Sequence, residues 1–499
     1  MILSFPKTRQ FVFSTAALFL AVSIHAEVRL PKVLASHMVV QRDLPVHVWG
    51  WAAPNEAVTV SFRGESKSTV TSDLGVWSLF LAPGGAGGPF QMTVKGNNSI
   101  NLDDVLVGDV WIASGQSNME FALRYASTAA VDLPKATNPR MRLLMVNKVY
   151  ADYPRTDFEG DGWTESTPES AKEFSAVAWY FAREIEEREH VPIGVIDTTW
   201  GGTVAEAWTS LTALGEDAAL APVFAARGHM TDAEATALLE AKVRDRQIAD
   251  AKAQGKPEPQ FPWHPALNMW GPSQIYNAMI APLTPLPIRG VIWYQGESNS
   301  RGERAVTYNR LFRTLIEDWR QQWHIGDFPF LFVQLANFTS VPEEDWPTIR
   351  EAQRRALELR NTAMAVTIDV GNPSNVHPTD KLTVGKRLAL AARAISYGEQ
   401  VEYSGPMYRQ VTPEGASLRV WFDHAAGLEA KGGANTGFEV AGEDGKFFPA
   451  DARIDGTSVI LSSASVQVPL AARYGWANSP ECHLYNNAGL PASPFTSLK

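Results

Sequence analysis

Five short apolar runs constrain this chain more than any other feature: "VLVGDVWIA", "VPIGVIDTTW", "IRGVIWYQG", "FPFLFVQLA" and "TAMAVTIDV". They lack the in–out alternation of half-exposed strands, so they read as strands buried on both faces. Segments of helical period lie between them. Phe174, Val177, Phe181 and Ile185 share one helical face, as do Tyr308, Leu311, Leu315 and Trp319. Strands alternating with amphipathic helices predict an α/β fold with a doubly wound parallel sheet, spanning residues 105–400.

The 499 residues exceed what one core usually holds, and the flanking text differs in pattern. Residues 27–104 carry short alternating stretches such as "PVHVWGWA" and "AVTVSFRG" between Gly, Pro, Asn and Asp, which predicts an N-terminal β-sandwich. Residues 401–499 return to strands and predict a C-terminal β-rich region. A charged, alanine-rich helical insertion near 211–262 interrupts the central rhythm and is expected to flank the mouth of a site.

Residues 1–26 have the form of a secretory signal: Lys7 and Arg9, an apolar run over 11–23, and cleavage after Ala26. That run is shorter than the roughly 18 to 20 residues a bilayer requires, so the expectation is an exported protein, periplasmic or secreted, without a membrane anchor. The single cysteine, Cys482, leaves no CxxC motif and no internal disulfide. Net charge is −10, and −12 after loss of Lys7 and Arg9, which disfavours nucleic acid and anionic membranes as partners.

In a doubly wound sheet, ligands bind beyond the carboxyl ends of the strands. Four strand ends carry unusual polar groups. "GQSN" places Ser117 where a strand turns into a helix, with Gly115 permitting the tight backbone and helix N–H groups facing any negative charge. "DTTWGGT" offers the backbone N–H groups of Gly201 and Gly202. "YQGESN" offers the amides of Gln295 and Asn299, with Glu297 nearby. "DVGNPSNVHP" ends a strand at Asp369 and sets His377 just before a helix opened by Pro378.

Taken singly, each has a plain structural alternative: Ser117 as a helix cap, the glycine pair as a turn, His377 as a satisfied loop histidine, and Trp200, Trp208 and Trp293 as core. Together they supply a nucleophile, backbone and amide donors and a base, which is what acyl transfer needs. Met119 stands where G-x-S-x-G would have its last glycine, which argues against an α/β-hydrolase elbow.

The motifs "HMVVQRDLPVHVWGWA", "GDVWIASGQSNME", "TTWGGTVAEAWTS", "PSQIYNAMIAPL", "GVIWYQGESN", "VHPTDKLTVGKRLA" and "GLPASPF" resemble the sialate O-acetylesterase family of the SGNH hydrolase superfamily along nearly the whole mature chain. The resemblance implies a flavodoxin-like catalytic domain behind a β-sandwich, and a serine esterase that removes O-acetyl groups from sialic acid or from plant polysaccharides such as xylan, without metal or cofactor. It implies Ser117 as nucleophile, His377 as base, and an oxyanion hole from the N–H groups of Ser117 and Gly202 or Gly201 with the amide of Gln295 or Asn299. Gln116, Trp200 and Glu297 are the candidate substrate contacts.

SGNH enzymes commonly place an aspartate three residues before the histidine, and here that position is Ser374. Asn372 and Asn375 occupy loop positions that are acidic in many members of the narrower family, which leaves Asp369 as the nearest acid. The competing arrangement is a Ser–His dyad whose imidazole N–H is held by a backbone carbonyl such as that of Ser374. Two other function classes are an inert carbohydrate-binding protein and a metal-dependent deacetylase; none of the ten histidines forms the short-spaced ligand group the latter needs.

Overall fold

The computed structural model describes residues 27–259, 270–432 and 436–498, with backbone alone over 225–239. The secretory signal expected over 1–26 lies outside the described residues. No described helix is long and apolar enough to cross a membrane.

All five apolar runs form strands of one sheet. Its order is Thr362–Ala365, Phe330–Val333, Gly290–Tyr294, Ser99–Gly115, Ile193–Thr199, Asn138–Val146 and Gly160–Ser166, with every pairing parallel except the last. The fold is therefore mixed α/β around a mostly parallel sheet. Asn138–Val146 and Gly160–Ser166 were not anticipated. In "NPRMRLLMV" a proline and two arginines obscure the strand, and the structure accommodates Arg142, only 2% exposed, by pairing it with Asp104 and Glu165.

Ser99–Gly115 is 17 residues long and serves two sheets. Its first part pairs with Gly87–Lys95 of the N-terminal β unit, and its end from Asp109 pairs with the central strands. The expected boundary at 104/105 thus falls within one continuous strand. Within the central sheet, consecutive segments of the chain leave this strand toward opposite edges. Gly115 accordingly ends at a switch point with Thr199 on one side and Tyr294 on the other.

The helix Ala176–Glu189 packs against Lys381–Ile395, while Glu303–Trp323 packs against Trp346–Arg355. Val177, Phe181 and Ile185 on the first helix are buried, as are Tyr308, Leu311, Leu315 and Trp319 on the third. The C-terminal unit holds two four-stranded sheets around its own core of Leu418, Val420, Phe438, Leu461, Tyr474 and Phe495. The wholly buried Arg350 joins it to the central unit by donating to the carbonyls of Leu335 and Ala336 on one side and Ala477 and Asn478 on the other.

Candidate active site

Gly115 is where the site begins. Its φ is +133°, and a Cβ there would stand 2.2 Å from the carbonyl oxygen of Tyr294, so only glycine lets the strand end so close to its neighbour. The next turn is a single helical turn, Ser117–Glu120, capped by the backbone of Gln116 without a side-chain bond. Ser117 is thus the first helical residue and not the cap. One turn sums few peptide dipoles, so the useful feature here is its backbone N–H groups and not a macrodipole.

The Ser117 hydroxyl lies 2.7 Å from His377 Nε2. Two bonds shape the loop that delivers the histidine: its backbone N–H donates to Asn375 Oδ1 at 2.9 Å, and the carbonyl of Val376 accepts from Asn118 Nδ2 at 2.9 Å. Burial first, and the Lys381 ammonium second, push the imidazole pKa below the usual histidine range, while Glu120 pulls it back. The neutral ring, able to accept a proton from serine, is thereby favoured. The helix that follows begins at Lys381 and not at Pro378, because Asp380 caps it by accepting from Thr383 N and Thr383 Oγ1.

Asp369 is committed elsewhere. Its two oxygens take a bidentate ion pair from Arg387 at 2.6 and 2.7 Å, and Arg387 also donates to the carbonyl of Val366. Among the described residues no hydrogen bond reaches His377 Nδ1, from Asp369, from the Ser374 carbonyl or from any other group. Asp369→Asn is therefore expected to lower stability by about 1 to 3 kcal/mol, the range for a charged hydrogen bond, with kcat within about threefold of wild type. Urea melts and esterase assays on the same preparation separate the two effects; a hundredfold fall in kcat would restore Asp369 to the proton-transfer chain.

The amides expected in the oxyanion hole are also engaged. Gln295 Nε2 donates to the carbonyl of Thr203 and to Asn299 Oδ1, and its Oε1 accepts from Tyr308. Asn299 Oδ1 further accepts from Ala205 N, and its Nδ2 donates to Glu206 at 2.8 Å. Both side chains are fully buried and brace the loop after Thr199 from beneath. Asn299→Ala leaves Glu206 Oε2 and Ala205 N without this partner and is expected to cost about 2 to 3 kcal/mol of stability. Turnover per folded molecule should fall far less than the roughly 100-fold that loss of an oxyanion donor imposes.

The glycine turn does meet Ser117: a Cβ on Gly201 would stand 3.1 Å from Ser117 Cβ. The Gly201 N–H is taken by the Glu120 carboxylate, which also pairs with Lys148. Among the described residues, the N–H groups of Gly202 and Ser117 have no partner. Trp270, missed in the sequence, fixes this turn: its Nε1 donates to the Gly202 carbonyl at 2.7 Å, and the Arg304 guanidinium that covers its ring at 4.6 Å is itself held by Glu206.

Gln116, Trp200 and Glu297 line the cavity over Ser117, whose volume is about 1400 Å³. Gln116 and Glu297 are nonetheless structural in their bonding. Gln116 Oε1 accepts from Ser298 N, and Glu297 Oε1 accepts from Asn118 Nδ2. No described residue of the long helix Ala221–Ala253 lines this cavity. The His37, Asp104 and Glu165 cluster lies outside the cavity lining, and Arg142 pairs with both of its carboxylates.

The family model for carbohydrate esterase, sialic acid-specific acetylesterase, matches residues 263–394, which hold Gln295, Asn299 and His377. The sialate O-acetylesterase of Mus musculus is 30% identical over 94% of this chain and 94% of its own. The chain belongs to the sialate O-acetylesterase family. The sialate O-acetylesterase of Homo sapiens is likewise 30% identical, over 94% of this chain and 92% of its own. A solved carbohydrate acetylesterase from Xanthomonas citri is 38% identical, with a TM-score of 0.82 over 95% of this chain and all of that one. The protein is thus a carbohydrate O-acetylesterase, and the serine–histidine contact stands in the cavity of an enzyme family that cleaves acetyl esters.

Proposed function

We propose that this acetylesterase works as a serine esterase through an acetyl-Ser117 intermediate, with His377 as its base and no acidic third member. The observation that carries this reading is the 2.7 Å contact between Ser117 Oγ and His377 Nε2 at the sheet's switch point. Ser117 Oγ attacks the acetyl carbonyl carbon while His377 Nε2 takes its proton. The N–H groups of Ser117 and Gly202 receive the oxyanion. His377 then protonates the departing sugar oxygen, takes a proton from the water that attacks the acetyl-enzyme, and returns it to Ser117 Oγ as acetate leaves.

The substrate reading follows from the cavity wall. Phe121, Tyr125, Trp200, Trp270 and Phe338 offer ring faces suited to sugars. Three cations line the wall, and each is already paired: Arg124 with Glu173, Lys148 with Glu120, and Arg301 with Glu344. Asp197 and Glu297 add acid without a cation of their own on that wall. An anionic sugar would have to break one of these pairs, whereas a neutral acetylated oligosaccharide would not. We therefore favour neutral acetylated glycans over sialic acid.

Acetate release from acetylated xylo-oligosaccharides, O-acetylated sialic acid and 4-nitrophenyl acetate tests both parts. The expected order has xylo-oligosaccharide ahead of sialic acid, with an acetyl group on the Ser117 peptide after acid quench. Faster release from sialic acid would overturn the substrate reading and leave the serine mechanism to stand on the trapped acetyl group.

A further inference from the structure

Beneath the Ser117–His377 contact lies a string of buried polar groups that the reaction itself does not use. Lys381 is wholly buried, and its Nζ donates to Asn118 Oδ1 at 2.5 Å. Its ammonium also faces two rings, Phe121 at 4.8 Å and Tyr294 at 5.5 Å. Asn118, the residue after the nucleophile, spends its Nδ2 on two acceptors: Glu297 Oε1 at 2.6 Å and the carbonyl of Val376 at 2.9 Å. Val376 immediately precedes the base.

The orientation of that amide is forced by its neighbours. Turning Asn118 over would bring its NH₂ against the Lys381 ammonium and its oxygen against the Glu297 carboxylate, donor to donor and acceptor to acceptor. Lys381 therefore dictates that the NH₂ faces Val376. The nucleophile's helical turn and the histidine's loop, 258 residues apart at this bond, are joined by one side chain whose rotamer a lysine fixes.

We propose that Lys381 is a positioning residue for the esterase, acting through the Asn118 amide to hold the Val376 carbonyl and so the His377 imidazole on the Ser117 hydroxyl. This rests on the Ser117–His377 reading above. A buried ammonium is a costly way to hold an amide: burial pushes the Lys381 pKa down to about 7 despite Glu297 and Asp380, which favour its charge. A methionine would fill the same space without desolvating a charge.

The charge also has a consequence for pH. The charged groups that act on His377 are Lys381, which lowers its pKa, and Glu120, which raises it. At acid pH Lys381 is protonated, so it keeps the imidazole neutral to lower pH than the ring would otherwise reach. Removing that charge should move the acid limb of activity upward, toward the ordinary histidine value near 6.5.

The test uses the full-length protein, 4-nitrophenyl acetate, and kcat/KM measured from about pH 5 to 9. Lys381→Met is expected to fold, as judged by circular dichroism and melting temperature, and to lose roughly 10- to 100-fold in kcat with KM within about twofold, the cost of a displaced catalytic group. Its acid limb should lie above that of wild type. Asn118→Ala keeps the ammonium and loses the tether, so its kcat should fall similarly while the limb moves less. Wild-type kcat and pH profile in folded Lys381→Met would overturn the proposal; should that variant not fold, wild-type kcat in Asn118→Ala would do so. Ser117→Ala is the control that separates the two ideas. Activity surviving there defeats the underlying mechanism, whereas an inactive Ser117→Ala beside an unimpaired Lys381→Met defeats the role of the lysine alone.

Discussion

Ser117→Ala is expected to cut acetate release by roughly 10⁴-fold or more, with the melting temperature unchanged. The stability half of this expectation comes from what the hydroxyl does not do. It does not cap the helix, since Gln116 holds that position, and among the described residues its one side-chain bond is to His377. Removing Oγ therefore leaves no buried partner stranded in the core. The activity half comes from the proposed covalent chemistry: on that mechanism there is no acetyl-enzyme without Oγ, and the Ser117 and Gly202 N–H groups, without a partner among the described residues, can only polarise an ester for attack by water. KM should move little, because neither the aromatic wall nor the glycine turn depends on that oxygen. A variant that kept a tenth of wild-type turnover would place the nucleophile elsewhere.

The parallel strands were legible because burial on both faces leaves a plain mark: a run of apolar residues with no alternation. Asn138–Val146 escaped for the same reason in reverse. Its Arg142 is buried only because Asp104 and Glu165 come from distant segments to neutralise it, and no local pattern announces that pairing. The long strand Ser99–Gly115 shows a further limit. A change of pattern near residue 105 was visible, yet the backbone runs straight through it, since one strand can change partners without breaking.

In the site, Ser117, His377 and the glycine turn stood out through residues whose backbone position alone makes them unusual. The side-chain amides did not sort themselves that way. Gln295, Asn299 and Asn118 sit equally near strand ends, but only three-dimensional packing shows that the first two brace the Gly201–Gly202 loop while the third ties the Ser117 turn to the loop that carries His377. Lys381 was harder still, because a lysine in the first turn of a helix ordinarily extends its ammonium into water. Asp369 has a matching difficulty: Arg387, 18 residues later on the helix Lys381–Ile395, takes the carboxylate that sequence proximity had offered to His377.

His377→Ala is expected to lower kcat about 10²- to 10⁴-fold, the usual worth of a positioned general base. On the proposed mechanism, with no described group holding Nδ1, the imidazole would be the end of the proton path, and its removal should express the whole of that contribution. The double variant Ser117→Ala/His377→Ala should then be no slower than Ser117→Ala alone, since a base without its nucleophile has nothing to deprotonate. The pH profile gives an independent check. In wild type the acid limb should fall below the usual histidine value, as burial and Lys381 both disfavour the imidazolium. In His377→Ala that limb should vanish, leaving a slow rate that rises with hydroxide. An acid limb that persisted unchanged would assign it to another group, with Asp197, pushed up to about 6 by burial at the edge of the same cavity, the first to examine.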